Sequence, residues 1–341
     1  MKLSDYNYDL PANLIADQPP KERGGSRLLY LQLRDNTLLD SCYKNIDDFL
    51  DPGDLVILND TRVFKARLKV TKSNGAVREI VILEKHSFDN DWHRHRIMYR
   101  KKLNVGDVLS VGNANIIVDQ IEGDGLAIIR SNRDLLELTD EYGEVPLPPY
   151  MHRAATDKDV ERYQTVWAKE KGSVAAPTAS LNMTNEILDK LRAKGVKIAY
   201  LTLHVGLGTF MPIRVEDVSE HHMHKEYFEV PASTVQIIQD TKKSGNRVVA
   251  VGTTVARTLE YVNKLIIQEP SDLFGEADIF IYPGYEFKTI DGLLTNFHVP
   301  KSTVLMLTSA FAGWDKLLPA YEYAVEQKYK FFSYGDSMLI L

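Results

Sequence analysis

The sequence predicts an α/β fold: a main domain built on a mixed sheet covered by helices, with a small β-barrel domain inserted into it. From Gly172 onward, apolar runs of strand length alternate with stretches of helical period. Between residues 68 and 129 the pattern changes to short apolar runs separated by Gly, Asn and Asp turns. A length of 341 residues suits two domains, each large enough to be held by packing alone.

In the main domain, Thr184 is placed to cap a helix whose Ile187, Leu188 and Leu191 form one face, with Gly195 as its stop. Residues 196–205 follow as a strand. Ser233 is the expected cap of a second helix, running through Val235, Ile237 and Ile238 to Gly245, and residues 247–251 read as a buried strand. Gly252 turns the chain into a third helix. A further strand is expected over residues 278–282, ended by Pro283 and Gly284, and a further helix over residues 317–327.

The four short runs at residues 79–83, 108–111, 115–118 and 126–129 are the expected strands of the inserted module. Strands this short expose their edges unless they close, so a small barrel is the expected solution. Pro146, Pro148 and Pro149 mark its exit. The expected division is residues 1–67 plus 151–341 for the discontinuous α/β domain and 68–150 for the barrel.

Composition narrows the function classes. Forty-seven acidic against 41 basic side chains give a net charge of −6, so nucleic-acid binding requires a local patch. The single cysteine, Cys42, has no intramolecular partner, and residues 1–9 carry Asp5 and Asp9 where a signal peptide has basic and apolar groups. These features point to the cytoplasm. The longest strongly apolar stretch, residues 304–312, is interrupted by Thr308 and Ser309 and is too short to span a bilayer. No exposed heptad pattern is evident, and a monomer is expected.

Several segments place polar residues just beyond apolar strands, where α/β folds form their sites. Residues 201–210 end a strand in His204 and a turn containing Gly206 and Gly208, which lets backbone N–H groups approach a ligand. His204 reads as an acid, base or donor, or as a core histidine bonded to a carbonyl. Thr253 and Thr254 open a helix whose unpaired N–H groups suit a carboxylate or phosphate, although a threonine there also serves as a structural cap. Asp60, in Asn59-Asp60-Thr61-Arg62, is placed to accept from ribose hydroxyls or act as a base, or else to form an Asx turn. His298 is either a ligand contact or a capping residue. His221, His222 and His224 beside Glu226 match no metal-ligand spacing, and no metal is expected. Within the β module, Arg94, Arg96, Arg100, Lys101 and Lys102 are interleaved with His93, His95 and Tyr99. That composition suits RNA phosphates and bases, or a solvated edge strand.

Taken together, these segments resemble the S-adenosylmethionine:tRNA ribosyltransferase-isomerases of queuosine synthesis over nearly the whole chain. The motifs that carry the resemblance include Pro52-Gly53-Asp54-Leu55, Asn59-Asp60-Thr61-Arg62-Val63 and Pro146-Leu147-Pro148-Pro149-Tyr150. They continue with Ser173-Val174-Ala175-Ala176-Pro177-Thr178-Ala179, Thr202-Leu203-His204-Val205-Gly206 and Val251-Gly252-Thr253-Thr254. Tyr282-Pro283-Gly284, Thr295-Asn296-Phe297-His298 and the terminal Phe331-Phe332-Ser333-Tyr334-Gly335-Asp336 complete the set.

The resemblance implies an α/β domain with an inserted barrel. It also implies transfer and isomerisation of the ribosyl part of S-adenosyl-L-methionine, used as co-substrate, onto the aminomethyl group of a 7-deazaguanine at the tRNA wobble position. The products are epoxyqueuosine in tRNA, adenine and methionine. The sulfonium acidifies the adjacent ribose carbon, so a modest base suffices without a metal. His204 is the expected base, His298 or His224 the proton donor to adenine, and Asp60 with Arg62 the groups that fix the ribose and developing charge. Asn59, Thr178, Gly206, Gly208, Thr209, Gly252, Thr253, Thr254, Tyr282, Gly284 and Asn296 are the expected contacts to S-adenosylmethionine, with the methionine carboxylate at Thr253 and Thr254.

The chain departs from the family pattern at Ser180-Leu181-Asn182-Met183-Thr184, where Gly-Leu-His-Phe-Thr is usual. Asn182 can hydrogen-bond but cannot shuttle a proton near neutral pH. Lys65 replaces a usual proline and Lys330 a usual arginine. Two other readings follow: an RNA- or nucleotide-binding homologue impaired by the Asn182 change, and an S-adenosylmethionine-dependent tRNA methyltransferase.

Overall fold

A computed structural model describes residues 1–87, 91–206 and 213–341. The chain first forms an antiparallel hairpin of β1 (Arg27–Gln32) and β2 (Thr37–Cys42). β3 (Leu55–Asn59) is buried at every residue, as a central strand covered on both faces must be. After the short β4 (Thr61–Val63) the chain leaves the main sheet.

It then builds β5 (Arg67–Lys72), β6 (Val77–Ile82), β7 (Arg94–Tyr99), β8 (Val108–Val111), β9 (Ala114–Gly123) and β10 (Leu126–Ser131). These close into an antiparallel barrel in the order β10-β7-β6-β5-β8-β9. Closure leaves β7 paired on both sides, so the basic run is not on an edge strand. Helix α1 (Leu135–Tyr142), unforeseen in the sequence, is capped by Asp134, which accepts from the N–H groups of Leu136 and Glu137, and it buries Leu135 and Leu138 against the barrel core. α2 (Asp157–Arg162) leads to β11 (Glu170–Ser173), which pairs in parallel with β4. Entry to and exit from the barrel segment therefore lie side by side.

The rest of the main sheet follows in an α/β alternation. The order is α3 (Asn185–Lys194), β12 (Lys197–Leu203), β13 (Glu226–Val230), α4 (Ala232–Lys243) and β14 (Val248–Val251). Next come α5 (Thr253–Tyr261), α6 (Asn263–Ile266), β15 (Leu273–Ala277) and β16 (Gly292–Asn296). α7 (Thr303–Ala312), α8 (Trp314–Glu326) and β17 (Ser337–Ile340) end the chain. The nine strands are ordered β15-β13-β12-β3-β14-β16-β17-β1-β2. β12, β3, β14 and β16 run parallel at its centre, and antiparallel pairs flank them, so the sheet is mixed. Alternate residues of β3 and β14 feed opposite layers: Leu55, Ile57, Val248 and Ala250 pack with α5, while Val56, Leu58, Val249 and Val251 pack with α3.

Two local expectations are corrected. Residues 278–282 are not a strand. The edge strand β15 ends at Ala277 because its partner β13 begins opposite, at Glu226, leaving nothing to pair with beyond. Helix α4 begins at Ala232 rather than behind a Ser233 cap: Pro231 occupies the cap position, and Asp272 accepts the Ala232 N–H at 2.7 Å. By contrast, Thr184 caps α3 through the Ile187 N–H, and Gly195 ends it at φ 90°.

Candidate active site

Parallel strands β14 and β16 finish together, and beyond their carboxyl ends lies a cleft of about 390 Å³, a volume suited to a small-molecule ligand. β14 delivers Gly252, Thr253 and Thr254; β16 delivers Thr295, Asn296 and His298. A third wall comes from the loop at Pro177 and Thr178, tied to β16 by a 2.9 Å bond from Thr178 Oγ1 to Asn296 Oδ1. Tyr150 and Phe332 close the mouth, their ring centroids 4.2 Å apart. Phe332, at φ 72°, and Lys301, at φ 59°, also line the cleft, so uncommon backbone conformations gather here.

The α5 terminus is built to meet an anion. Gly252, at φ 97°, makes the turn that a side chain would strain, and no side chain caps the helix among the described residues. The first-turn N–H groups thus face the cleft with the positive end of the helix dipole behind them. Thr254 Oγ1 is buried there without a hydrogen-bond partner among the described residues.

His298 is the imidazole of the cleft. Its Nε2 sits 2.7 Å from Thr295 Oγ1, its N–H donates to Tyr321 Oη, and its carbonyl accepts from Tyr8 Oη. Burial lowers its pKa to about 3, so the ring is neutral near pH 7.

The structure separates other expected residues from this cleft. His204 is 1% exposed, and only its neighbour Val205 reaches the cleft lining. Its Nδ1 lies 2.8 Å from Thr61 Oγ1, and burial, with Lys85 and His86 nearby, lowers its pKa to about 3. A Cβ at Gly172 would fall 2.7 Å from the imidazole, so this glycine exists to let the ring in. Asn59 is fully committed to the backbone: its Nδ2 donates to the Leu203 carbonyl and its Oδ1 accepts from the Thr61 and Leu203 N–H groups. The Asx turn of this motif therefore belongs to Asn59 rather than Asp60.

Asp60 accepts from Thr202 Oγ1 at 2.6 Å, and burial raises its carboxyl pKa, but it too lies outside the cleft lining. Arg62 is exposed beside Lys65, Asp140 and Lys171 in a separate shallow pocket. Tyr282 packs with Phe280 and Met306, and Gly284, at φ 101°, is in an exposed turn, so neither lines the cleft. Gly206 donates its N–H to Glu226, beside the His204 strand end. Gly208 and Thr209 lie outside the described residues. Asn182 is buried, donates to the Gly335 carbonyl at 3.4 Å and does not line the cleft, and Lys330 holds the Asn13 carbonyl. Sequence reasoning missed the walls formed by Tyr150, Lys301 and Phe332. The first and last stand in motifs that carry the family resemblance, but nothing local marks their convergence.

A second groove, between the barrel and the main sheet, is lined by Glu84, His86, Arg96, His224 and Glu276. His224 is exposed on its wall, away from His298. Arg96 and Arg94 project outward from β7 while His95 and Ile97 point inward. Acids of β9 temper the two arginines: Arg96 Nε donates to Glu122 at 2.5 Å, and Arg94 lies 3.4 Å from Asp119. Arg100, Lys101 and Lys102 follow in the exposed turn after β7. No group of three or more His, Cys, Asp or Glu is positioned to hold a metal, and no helix is long and apolar enough to cross a membrane, among the described residues.

Residues 3–340 match the family model described as a queuosine biosynthesis protein. The S-adenosylmethionine:tRNA ribosyltransferase-isomerase of Pelodictyon phaeoclathratiforme is 52% identical over 344 residues, covering all of both chains. The protein of the same name from Staphylococcus haemolyticus is 46% identical, again over the full length of both. The crystal structure of the S-adenosylmethionine tRNA ribosyltransferase of Thermotoga maritima is similar at a TM-score of 0.58 and 34% identity, covering 99% of this chain and all of that one. With this agreement over its whole length, the chain belongs to the queuosine biosynthesis family of S-adenosylmethionine:tRNA ribosyltransferase-isomerases.

Proposed function

We propose that the chain transfers and isomerises the ribosyl group of S-adenosylmethionine onto the 7-aminomethyl-7-deazaguanine of tRNA, releasing adenine and methionine. One observation carries this reading: an uncapped helix N-terminus, a neutral imidazole and an aromatic wall share one cleft at the end of the main sheet. The methionine carboxylate takes the N–H groups at Thr253 and Thr254, and the adenine lies against Tyr150 and Phe332. Asn296 and Thr178, already bonded to each other, frame the ribose between them.

His298 replaces His204 as the base in this reading. The sulfonium makes the adjoining ribose C–H acidic, and a neutral imidazole takes that proton. The imidazolium so formed then returns it to the departing adenine, so the same side chain is base and acid in turn. His204, sealed beneath Gly172 and bonded to Thr61, supports the end of β12 instead.

The tRNA approaches over the groove between barrel and sheet, with Arg94, Arg96, Arg100, Lys101 and Lys102 along its phosphates. Incubation with S-adenosylmethionine and precursor-bearing tRNA tests the reading: it yields adenine and methionine in step with modified tRNA. S-adenosylhomocysteine would identify a methyltransferase, and binding without turnover an inactive homologue. Either result overturns the proposal.

A further inference from the structure

We infer that the buried Arg257–Glu226 ion pair recognises the amino-acid end of S-adenosylmethionine and makes the enzyme selective for the intact zwitterion; this rests on the function proposed above. Arg257 Nη2 lies 2.6 Å from Glu226 Oε2, with the two side chains 7% and 3% exposed. Removing two charges from water is costly, and such a pair is seldom a stability device in its own right.

Its position supplies the reason for it. Arg257 follows Thr253 by four residues and Thr254 by three on α5, so all three occupy one helix face. They line a side pocket that continues from the cleft past Thr253, Thr254 and Val304, where Ile281 and Leu307 provide apolar walls. The pocket holds about 30 Å³, room for roughly two water-sized groups, which suits the end of a chain and not a ring.

Two polar atoms there are buried without partners among the described residues, Arg257 Nε and Thr254 Oγ1. Arg257 Nη2 also donates to the Ala277 carbonyl at 3.2 Å, and Glu226 Oε1 accepts the Gly206 N–H at 2.9 Å. The guanidinium is therefore fixed in place while its Nε–H still lacks an acceptor. Because Glu226 neutralises Arg257, the pocket presents a dipole rather than a bare positive charge. A phosphate would leave the glutamate opposed to it. An α-amino acid matches both ends, with its carboxylate toward Arg257 and the helix N-terminus and its ammonium toward Glu226.

Calorimetric titration of the full-length protein with S-adenosylmethionine, decarboxylated S-adenosylmethionine and 5′-methylthioadenosine tests this inference. The native protein is expected to bind the first roughly 10- to 100-fold more tightly than the second, the range for a charge-assisted hydrogen bond. The paired variant Arg257→Met with Glu226→Gln, which removes both charges of the pair together, is expected to lower that ratio about tenfold, to what the α5 N-terminus alone supplies, while its affinity for 5′-methylthioadenosine stays at the native value. Arg257→Lys, which keeps the charge and loses the planar fork, is expected to fall between them. An equal affinity of the native protein for the first two ligands, or a ratio undiminished in the paired variant, overturns the inference. If the paired variant does not fold, the native ratio and the Arg257→Lys ratio decide. A native protein that binds none of the three ligands overturns the proposed function itself.

Discussion

Replacing His298 with asparagine removes the one imidazole that lines the cleft among the described residues while leaving a group able to bond Thr295 Oγ1, now 2.7 Å from Nε2. At pH 7 the lowered pKa leaves the His298 ring neutral, with its nitrogen lone pair free of a proton, while burial keeps its basicity low until a bound cation's departing proton or the developing adenine charge raises it. The loss expected on removing a positioned general base is about 10²- to 10⁴-fold in kcat, or roughly 3–5 kcal/mol in the activation barrier when chemistry limits turnover. Binding of S-adenosylmethionine should stay near native affinity, because the α5 terminus and the aromatic wall are untouched. Adenine release with precursor-bearing tRNA measures kcat, and calorimetry measures binding. His204→Asn is the internal contrast. It keeps a partner for Thr61 and lies behind the cleft, so it should cost about 1–3 kcal/mol of stability yet leave folded enzyme turning over normally. Native turnover in His298→Asn would refute the assignment. So would a loss of about 10²-fold in His204→Asn with unchanged stability.

Acid should destabilise the protein through these same two histidines. Each titrates near 6.5 when unfolded and near 3 when folded, so the unfolded chain binds the extra protons in between. Their contribution to stability is complete above the unfolded pKa and falls as pH descends toward 3, by on the order of 2–3 kcal/mol per histidine at about pH 4.5. Urea midpoints near pH 7 and pH 4.5 check this, and a flat profile contradicts it. Gly252→Ala should lower stability by about 1–3 kcal/mol from backbone strain alone, since the nearest atom to a new Cβ lies an ordinary 3.6 Å away. Thermal melting reads that cost, together with weakened S-adenosylmethionine binding. Converting Arg94 and Arg96 to glutamine should weaken tRNA binding and reduce the slope of log affinity against log salt by about 0.7–0.9 for each phosphate no longer neutralised. Unchanged affinity and slope would remove β7 from the tRNA interface.

Much of the fold was legible because local chemistry and tertiary placement agree. The α3 helix shows its cap, its buried stripe and its glycine stop within a short stretch of sequence, and β14 with Gly252 and α5 is equally self-contained. The barrel was legible from turn spacing. Where the local pattern misled, the deciding partner was distant. Residues 278–282 have the composition of a strand and lack a neighbour to pair with, and α4 starts before Ser233 because Asp272, 40 residues away, serves its first N–H.

The site divided along the same line. Thr253, Thr254, Asn296 and His298 converge because the ends of two neighbouring parallel strands bring them together, and Thr178 joins them from a loop bonded to Asn296. His204 and Asn59 also follow strand ends, yet Thr61, Gly172 and the Leu203 backbone consume them. Polarity just past a strand identified candidates; only burial and partners separated residues that line the cleft from supports. Asn182 belongs with the supports, which removes the reason to regard its difference from the family histidine as a loss of catalytic machinery.

A crystal structure of the protein with S-adenosylmethionine bound tests the central claim most directly. The methionine end is expected at Thr253 and Thr254, the adenine against Tyr150 and Phe332, and the ribose carbon beside the sulfonium within reach of His298 Nε2. Density for the ligand in the groove between barrel and sheet, or beside an opened His204, with the cleft at α5 empty, would contradict it.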